Sequence, residues 1–348
     1  MTRTTTDEAL RRLLDEGRAR AAATDPEHAR LWEALAAATE GGKRFRPALV
    51  TAAHEILGGT CPDAAVEVGA AVELLHTAFV IHDDVIDGDD LRRGRLNVSG
   101  TFHAYALASG AAPEDAGAFG RTAGILAGDL ALAAAIRAVA TCGASTGVVH
   151  RLLDLFDAAL HTTAAGELAD VRLSLGSVGT ASLPESLVME EQKTSAYSFA
   201  LPLQAGAVLA GADEPTVGRL GEAGRMLGVA FQLVDDLLGV FGDPARTGKS
   251  ATTDLRTRKQ TPLLAHARTT PEWEEIRSYV GRDLTDDELT ETRRLLTTAG
   301  SRRFVEELAE THLAGAREVI EQLGISAELL ATVTTRPAVL ADSDEVAA

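Results

Sequence analysis

Nine residues, His82 to Asp90, read HDDVIDGDD and hold five aspartates: Asp83, Asp84, Asp87, Asp89 and Asp90. On a helix, Asp83 and Asp87 stand one turn and about 40° apart, so their carboxylates share a face. Like charges this close raise each other's pKa, a cost that a hard divalent cation reverses; oxygen ligands with open water positions suit Mg²⁺. Phe79, Val80, Ile81, Val85 and Ile86 surround the aspartates, which argues for a buried helix rather than a solvated acidic end. A second pair, Asp235 and Asp236, lies in GVAFQLVDDLLGVFGD, where Gln232 is the one polar residue in the preceding turn. Two adjacent carboxylates in a core helix are costly unless something cationic meets them. One such pair could be a structural ion pair. Two, on separate apolar helices, point to shared metal.

The basic residues are also grouped. Lys43, Arg44 and Arg46 fall in GGKRFRP (residues 41–47), and Arg92, Arg93 and Arg95 follow the first acidic cluster directly. A charge run alone is usually a solvated face. Beside the carboxylates, these runs suggest an anion of several oxygens, held by Mg²⁺ on one side and by guanidinium forks on the other. Lys193, Lys249 and Lys259 could close over the same anion. His76, seven residues before Asp83 and about 20° away in helical angle, faces the same side, although a satisfied core histidine is the alternative. Thr247-Gly248-Lys249-Ser250 is similar to the end of a nucleotide-binding phosphate loop. That reading fails because Asp243 stands where a glycine belongs and no strand precedes it.

The elements that must position these groups read as helices. Val68, Val72, Leu75 and Phe79 recur at three- and four-residue steps, and similar patterns run over 187–209, 217–240 and 306–323. No run alternates apolar and polar as a half-buried strand would, and no fixed-period repeat appears. Turn-forming residues gather at 41–47, 109–117, 176–184 and, longest, 242–262. The expectation is an all-α fold, one large domain over residues 1–336, with 337–348 a frayed acidic tail.

The 348 residues, 45% hydrophobic and 24% charged, suffice for a packed core. Asp and Glu number 51 against 33 Lys and Arg, a formal charge of −18 that argues against a nucleic-acid partner. Two cysteines, Cys61 and Cys142, cannot staple a chain this long, so a reduced, cytoplasmic protein is expected. The first residues lack the apolar core of a secretory signal. The most apolar stretch, 123–140, is interrupted by Asp129 and Arg137, so no membrane span is expected.

GGKRFRP, ELLHTAFVIHDDVIDGDDLRRG, EQKTSAYSFALPL and FQLVDDLLGVFGD resemble, in order, the successive signatures of the trans-isoprenyl diphosphate synthases (polyprenyl synthetase family). The chain is most similar to bacterial members that make geranylgeranyl diphosphate. The resemblance implies a single large helical bundle around a central apolar cavity, usually a homodimer. It also implies a prenyltransferase that joins isopentenyl diphosphate to dimethylallyl, geranyl or farnesyl diphosphate. Asp83, Asp84, Asp87, Asp235 and Asp236 would hold three Mg²⁺ against the allylic diphosphate. Arg92, Lys193, Thr194, Gln232, Lys249 and Lys259 would face that substrate, and Lys43, Arg46, His76 and Arg93 would hold isopentenyl diphosphate. Ala78 and Phe79, just before the first motif, would limit chain length, which favours a C20 product over the C15 alternative. The second motif departs from the family's DDxxD. Its fifth position is Gly239, with Asp243 four residues later. A terpene cyclase would share the metal-bound diphosphate but would have no use for GGKRFRP. A non-catalytic regulatory subunit would typically lack the carboxylates present here.

Overall fold

The computed structural model describes residues 5–175, 180–242, 253–326 and 329–330. Asp243, Lys249, the 247–250 segment and the 337–348 tail lie outside them. The fold is all-α. Among the described residues the strands are β1 (Leu91–Arg92) and β2 (Arg95–Leu96), an antiparallel pair with Leu91 opposite Leu96 and Arg92 opposite Arg95. The chain forms two compact units: Met1–Phe156 with Gln204–Asp213, and Asp157–Leu203 with Glu214–Ala348.

The first unit holds α1 (Thr6–Ala22), α2 (Pro26–Ala38), α3 (Phe45–Ile56), α4 (Pro62–Asp87), α5 (Val98–Ala108) and α6 (Pro113–Ala140). Its axis is α4, which packs against α1, α3 and α6. Pro62 opens α4 at a position where no N–H is needed, and Gly88, with φ +71°, closes it in the left-handed conformation. Between them the helix is apolar on nearly every side, as a buried helix must be. The glycines of α6 let it come close: a Cβ at Gly124 would fall 2.4 Å from Val85 Cγ2, and one at Gly128 2.1 Å from His82 Nε2. By length and composition α4 and α6 could each cross a membrane, which corrects the expectation that no segment is long and apolar enough. Most of the apolar stretch of α4 is buried within the protein, as in a core helix; less than half of that of α6 is.

The second unit is built from α8 (Leu183–Glu190), a ten-residue π-helix (Glu191–Ala200), α10 (Glu214–Phe241), α11 (Thr253–Arg256), α12 (Pro262–Ala267), α13 (Trp273–Ile276), α14 (Asp286–Thr298) and α15 (Ser301–Gln322). Two further helices, α7 (Thr146–Ser174) and α9 (Leu201–Ala210), contribute residues to both units. Leu233, Leu237, Leu263, Leu264, Leu296 and Val305 lie at its core, with α10 packed against α15 and the π-helix. A π-helix is wider than an α-helix and rare at this length. Its neighbours make room with glycines: a Cβ at Gly166 of α7 would lie 2.2 Å from Lys193 N, and one at Gly228 of α10 2.4 Å from Ser195 Cβ. Because the obstacle at Gly166 is backbone, Gly166→Ala should lower stability by about 1–3 kcal/mol. Urea unfolding checks this, and an unchanged midpoint would contradict it.

Candidate functional site

In the first unit, the last turns of α4 carry His76, Asp83, Asp84 and Asp87. Asp84 is buried, Asp83 half-buried and Asp87 exposed. The β1–β2 turn places a guanidinium against them. Arg93 (φ +53°) and Gly94 (φ +73°) form a two-residue reversal of the kind that suits a hairpin, which folds Arg92 back onto α4. Arg92 Nε donates to Asp84 Oδ1 at 2.6 Å, and Nη2 to Asp83 Oδ2 at 3.1 Å. Burial pushes the Asp84 carboxyl up to about 6, although Arg92 pulls against it.

Arg93 reaches elsewhere: its Nη1 donates to the Gly41 carbonyl at 2.8 Å and so grips the GGKRFRP turn. The same turn is anchored to α4 by Arg44, itself in the left-handed region (φ +52°). Arg44 Nη1 meets Glu73 Oε1 at 2.7 Å, and its Nε meets Asp7 Oδ1 at 2.9 Å. Glu73 is buried, and removing one partner of such a pair costs about 3–5 kcal/mol. Lys43 is left exposed, and Arg46 is half-buried over the Phe45 ring. Burial, and then the guanidiniums of Arg46, Arg92, Arg93 and Arg44, hold the His76 imidazole well below its ordinary value. Arg44, Arg46, Arg92 and Arg93 thus gather round His76 at the end of the unit that carries the first carboxylates. Ala78 is buried and Phe79 half-buried on the same helix.

In the second unit, α10 carries half-buried Gln232 and Asp235 and buried Asp236. Gln232 Nε2 donates to Asp236 Oδ1 at 3.1 Å, and Lys259 Nζ donates to the same oxygen at 3.2 Å. Asp236 is buried beside Glu190, whose carboxyl is hydrogen-bonded to it. Burial works against charge on Lys259, but Asp236, Asp254, Glu190 and Asp235 outweigh it and hold the ammonium well above its ordinary range. Thr194 is half-buried on the π-helix. Lys193 on the same helix is paired with α7, at 2.7 Å from Asp170 Oδ2 and 3.0 Å from Glu167 Oε2.

Sequence reasoning missed Glu167, Asp170 and Glu190, none of which belongs to a motif. Glu190 is buried, and its carboxyl is pushed well above its ordinary value by burial and then by Asp236. The one signal was its place at the end of the apolar α8.

Among the described residues no three His, Cys, Asp or Glu groups already stand at metal-ligand spacing. Arg92 lies against Asp83 and Asp84, and Lys259 against Asp236. The donor set nonetheless fits Mg²⁺. All the candidate ligands are carboxylate oxygens, the donor type that Mg²⁺ takes.

The His76 environment has a pH consequence. Unfolded, the imidazole takes up a proton near its ordinary 6.5; folded, it resists to well below that. Its contribution to stability is full above 6.5 and is lost as pH falls towards the folded value. The drop in Tm between about pH 7 and about pH 5 should therefore be smaller in His76→Gln than in the parent. Superimposable Tm profiles would contradict this.

Residues 28–295 match the family described as Polyprenyl synthetase. The chain is 31% identical over 287 residues to the geranylfarnesyl diphosphate synthase of Aeropyrum pernix, covering 81% of this chain and 84% of that protein. It is 34% identical over 292 residues to the (2E,6E)-farnesyl diphosphate synthase of Mycobacterium bovis, covering 82% and 75%. Its fold is similar to the crystal structure of geranylgeranyl pyrophosphate synthase from Corynebacterium glutamicum complexed with isoprenyl diphosphate and magnesium. There the TM-score is 0.84 at 29% identity, over 97% of this chain and 96% of that one.

Proposed function

The chain belongs to the polyprenyl synthetase family, whose members are Mg²⁺-dependent trans-prenyltransferases, and from that premise we propose that this short-chain prenyl diphosphate synthase stops at geranylgeranyl diphosphate, C20. Its substrates are isopentenyl diphosphate and an allylic diphosphate: dimethylallyl, geranyl or farnesyl. The observation that carries the C20 reading is on α4. Phe79 stands one turn, about 6 Å, before Asp83, next to the small, buried Ala78. One aromatic at these two positions leaves more depth than two would. The relatives fit this length, since their names give products on either side of C20.

The roles follow from the charges. Asp83, Asp84, Asp87, Asp235 and Asp236 hold three Mg²⁺. Arg92, Lys193, Thr194, Gln232 and Lys259, with Lys249, hold the allylic diphosphate, and Lys43, Arg46, His76 and Arg93 hold isopentenyl diphosphate. Bound Mg²⁺ supplies the positive charge that makes diphosphate a leaving group. Lys193 and Lys259 share that load with Arg92, because cations preorganised around the departing oxygens stabilise the charge as it develops. His76, kept neutral by burial and its guanidinium neighbours, donates a hydrogen bond without adding a further cation. Apolar helices exclude the water that would quench the allylic cation before the alkene attacks it. No carboxylate of the chain need act as base, because the released diphosphate can take the proton that leaves as the trans double bond forms.

We propose a cytoplasmic enzyme, on two cysteines, Cys61 and Cys142, that form no disulfide, and a homodimer. The helix α6 leaves Phe119, Ile125 and Leu126 exposed, an apolar face that a second copy would cover. Light scattering should give twice the chain mass for the parent and the single mass for Ile125→Glu/Leu126→Glu. A parent of single mass would refute the dimer.

The function is tested by incubating the chain with Mg²⁺, isopentenyl diphosphate and each starter, then measuring product length. Asp84→Ala should lower kcat at least about a hundredfold, whereas Arg46→Ala should chiefly raise KM for isopentenyl diphosphate. Ala78→Phe should shorten the product towards C15, and Phe79→Ala should lengthen it past C20. Parent product from both length variants would place the limit elsewhere.

A further inference from the structure

The second unit holds a cavity of about 550 Å³ where the start of α8, the end of α12 and the first turns of α15 meet. Leu183, Pro184, Ala265 and Phe304 make its walls largely apolar, and His266 and Arg268 are its titratable lining residues. None of its lining residues belongs to the sets proposed above for metal or diphosphate. The walls are fixed from outside. Gln260 Oε1 accepts from Ala181 N at 3.3 Å, and the Gln260 carbonyl accepts from Ser186 Oγ at 2.7 Å, which ties α8 to the chain entering α12. The His266 ring stacks on Phe304 with centroids 4.3 Å apart, and its Nδ1 lies 3.0 Å from the Oγ of buried Ser301.

Arg268 is poorly matched where it stands. It is half-buried, donates through Nη1 to the Ala181 carbonyl at 3.3 Å, and lies 5.4 Å from the centre of the Trp273 ring. Its Nε is buried with no acceptor, and among the described residues no carboxylate pairs with it. The contrast is with Arg44 and Arg92, where carboxylates outweigh the cost of burial; at Arg268 burial acts unopposed and lowers the pKa. A guanidinium fork fits two oxygens of one carboxylate or phosphate. The volume is more than a bare oxyanion needs and lies in the range of small-molecule sites, whose apolar walls bury a hydrocarbon body. We propose that this cavity binds an organic anion, its carboxylate or phosphate head on Arg268 and its apolar body against Leu183 and Phe304. One long bond to Ala181 holds the guanidinium, so its Nε edge can turn from the wall to the head.

The test is isothermal titration calorimetry of the full chain in EDTA with hexanoate, hexyl phosphate and, as the same body without charge, 1-hexanol. At least one anion should bind with a Kd below about 1 mM, and hexanol at least about tenfold more weakly. The tighter of the two anions identifies the head. Arg268→Gln should raise that Kd at least about tenfold. Thr180→Phe, at an exposed lining position, should narrow the cavity and weaken binding by a similar factor. The proposal is overturned if neither anion binds. Hexanol binding as tightly as the anions would also overturn it, leaving an apolar cavity with no use for Arg268. So would an Arg268→Gln chain that melts like the parent and keeps its Kd. If Arg268→Gln does not fold, Thr180→Phe decides, and an unchanged Kd there sinks the proposal. None of these outcomes bears on prenyl transfer, which uses no residue of this cavity.

Discussion

Carboxylates withdrawn from water must be met by positive charge, and both units of this protein are arranged around that demand. Asp84 is buried at the end of α4, and its carboxyl is raised to about 6 even with a guanidinium at 2.6 Å. The hairpin exists to deliver that guanidinium. Its strands are two residues each, and its turn uses a strained arginine, Arg93, where the reversal must be abrupt. The second unit answers the same demand with an ammonium. Lys259 meets buried Asp236, and Glu190 alongside is held towards its neutral form. In each unit the compensating group is a flexible side chain on a short connection, whereas the acid sits on a long packed helix.

The cationic end of the first unit follows the same logic with the signs reversed. Arginines gathered round one histidine repel each other, and the unit offsets this by tying two of them down. Arg44 is paired with Glu73 and Asp7, while Arg93 is bonded to the Gly41 carbonyl. These bonds also join GGKRFRP to α4 and to the hairpin, so the residues proposed to bind isopentenyl diphosphate share a frame with Asp83, Asp84 and Asp87.

The long apolar helices were legible because their periodicity and their acidic pairs are both local in sequence. Asp83, Asp84, Asp235 and Asp236 could be singled out from local sequence, since adjacent carboxylates in an apolar run are too costly to stand there without a cation to meet them. The partners of the charged groups were less legible. Lys193 could be singled out in sequence, but not that its ammonium pairs with Glu167 and Asp170, an i, i+3 pair that reads as an ordinary helix face. The π-helix left no mark in the hydrophobic pattern, and only the contacts of Gly166 and Gly228 show why it fits. The hairpin strands are too short to alternate. Gly239 was visible as a departure, but a residue fifteen positions later that fills its place can be found only in three dimensions.

The π-helix has a consequence for how this segment can vary. It winds fewer degrees per residue than its α-helical neighbours, so residues on its two sides are held in a phase that ordinary helix would not reproduce. Deleting one residue between Glu191 and Ala200 would leave composition and polarity almost unchanged. With the π-helical winding kept, it would nevertheless rotate everything upstream by somewhat less than the ~100° of an α-helical residue relative to α9, turning Lys193 and Thr194 away from their present faces. Substitutions in this stretch can be absorbed one side chain at a time, but changes in its length cannot. Its residue count is therefore under tighter constraint than most of its individual side chains.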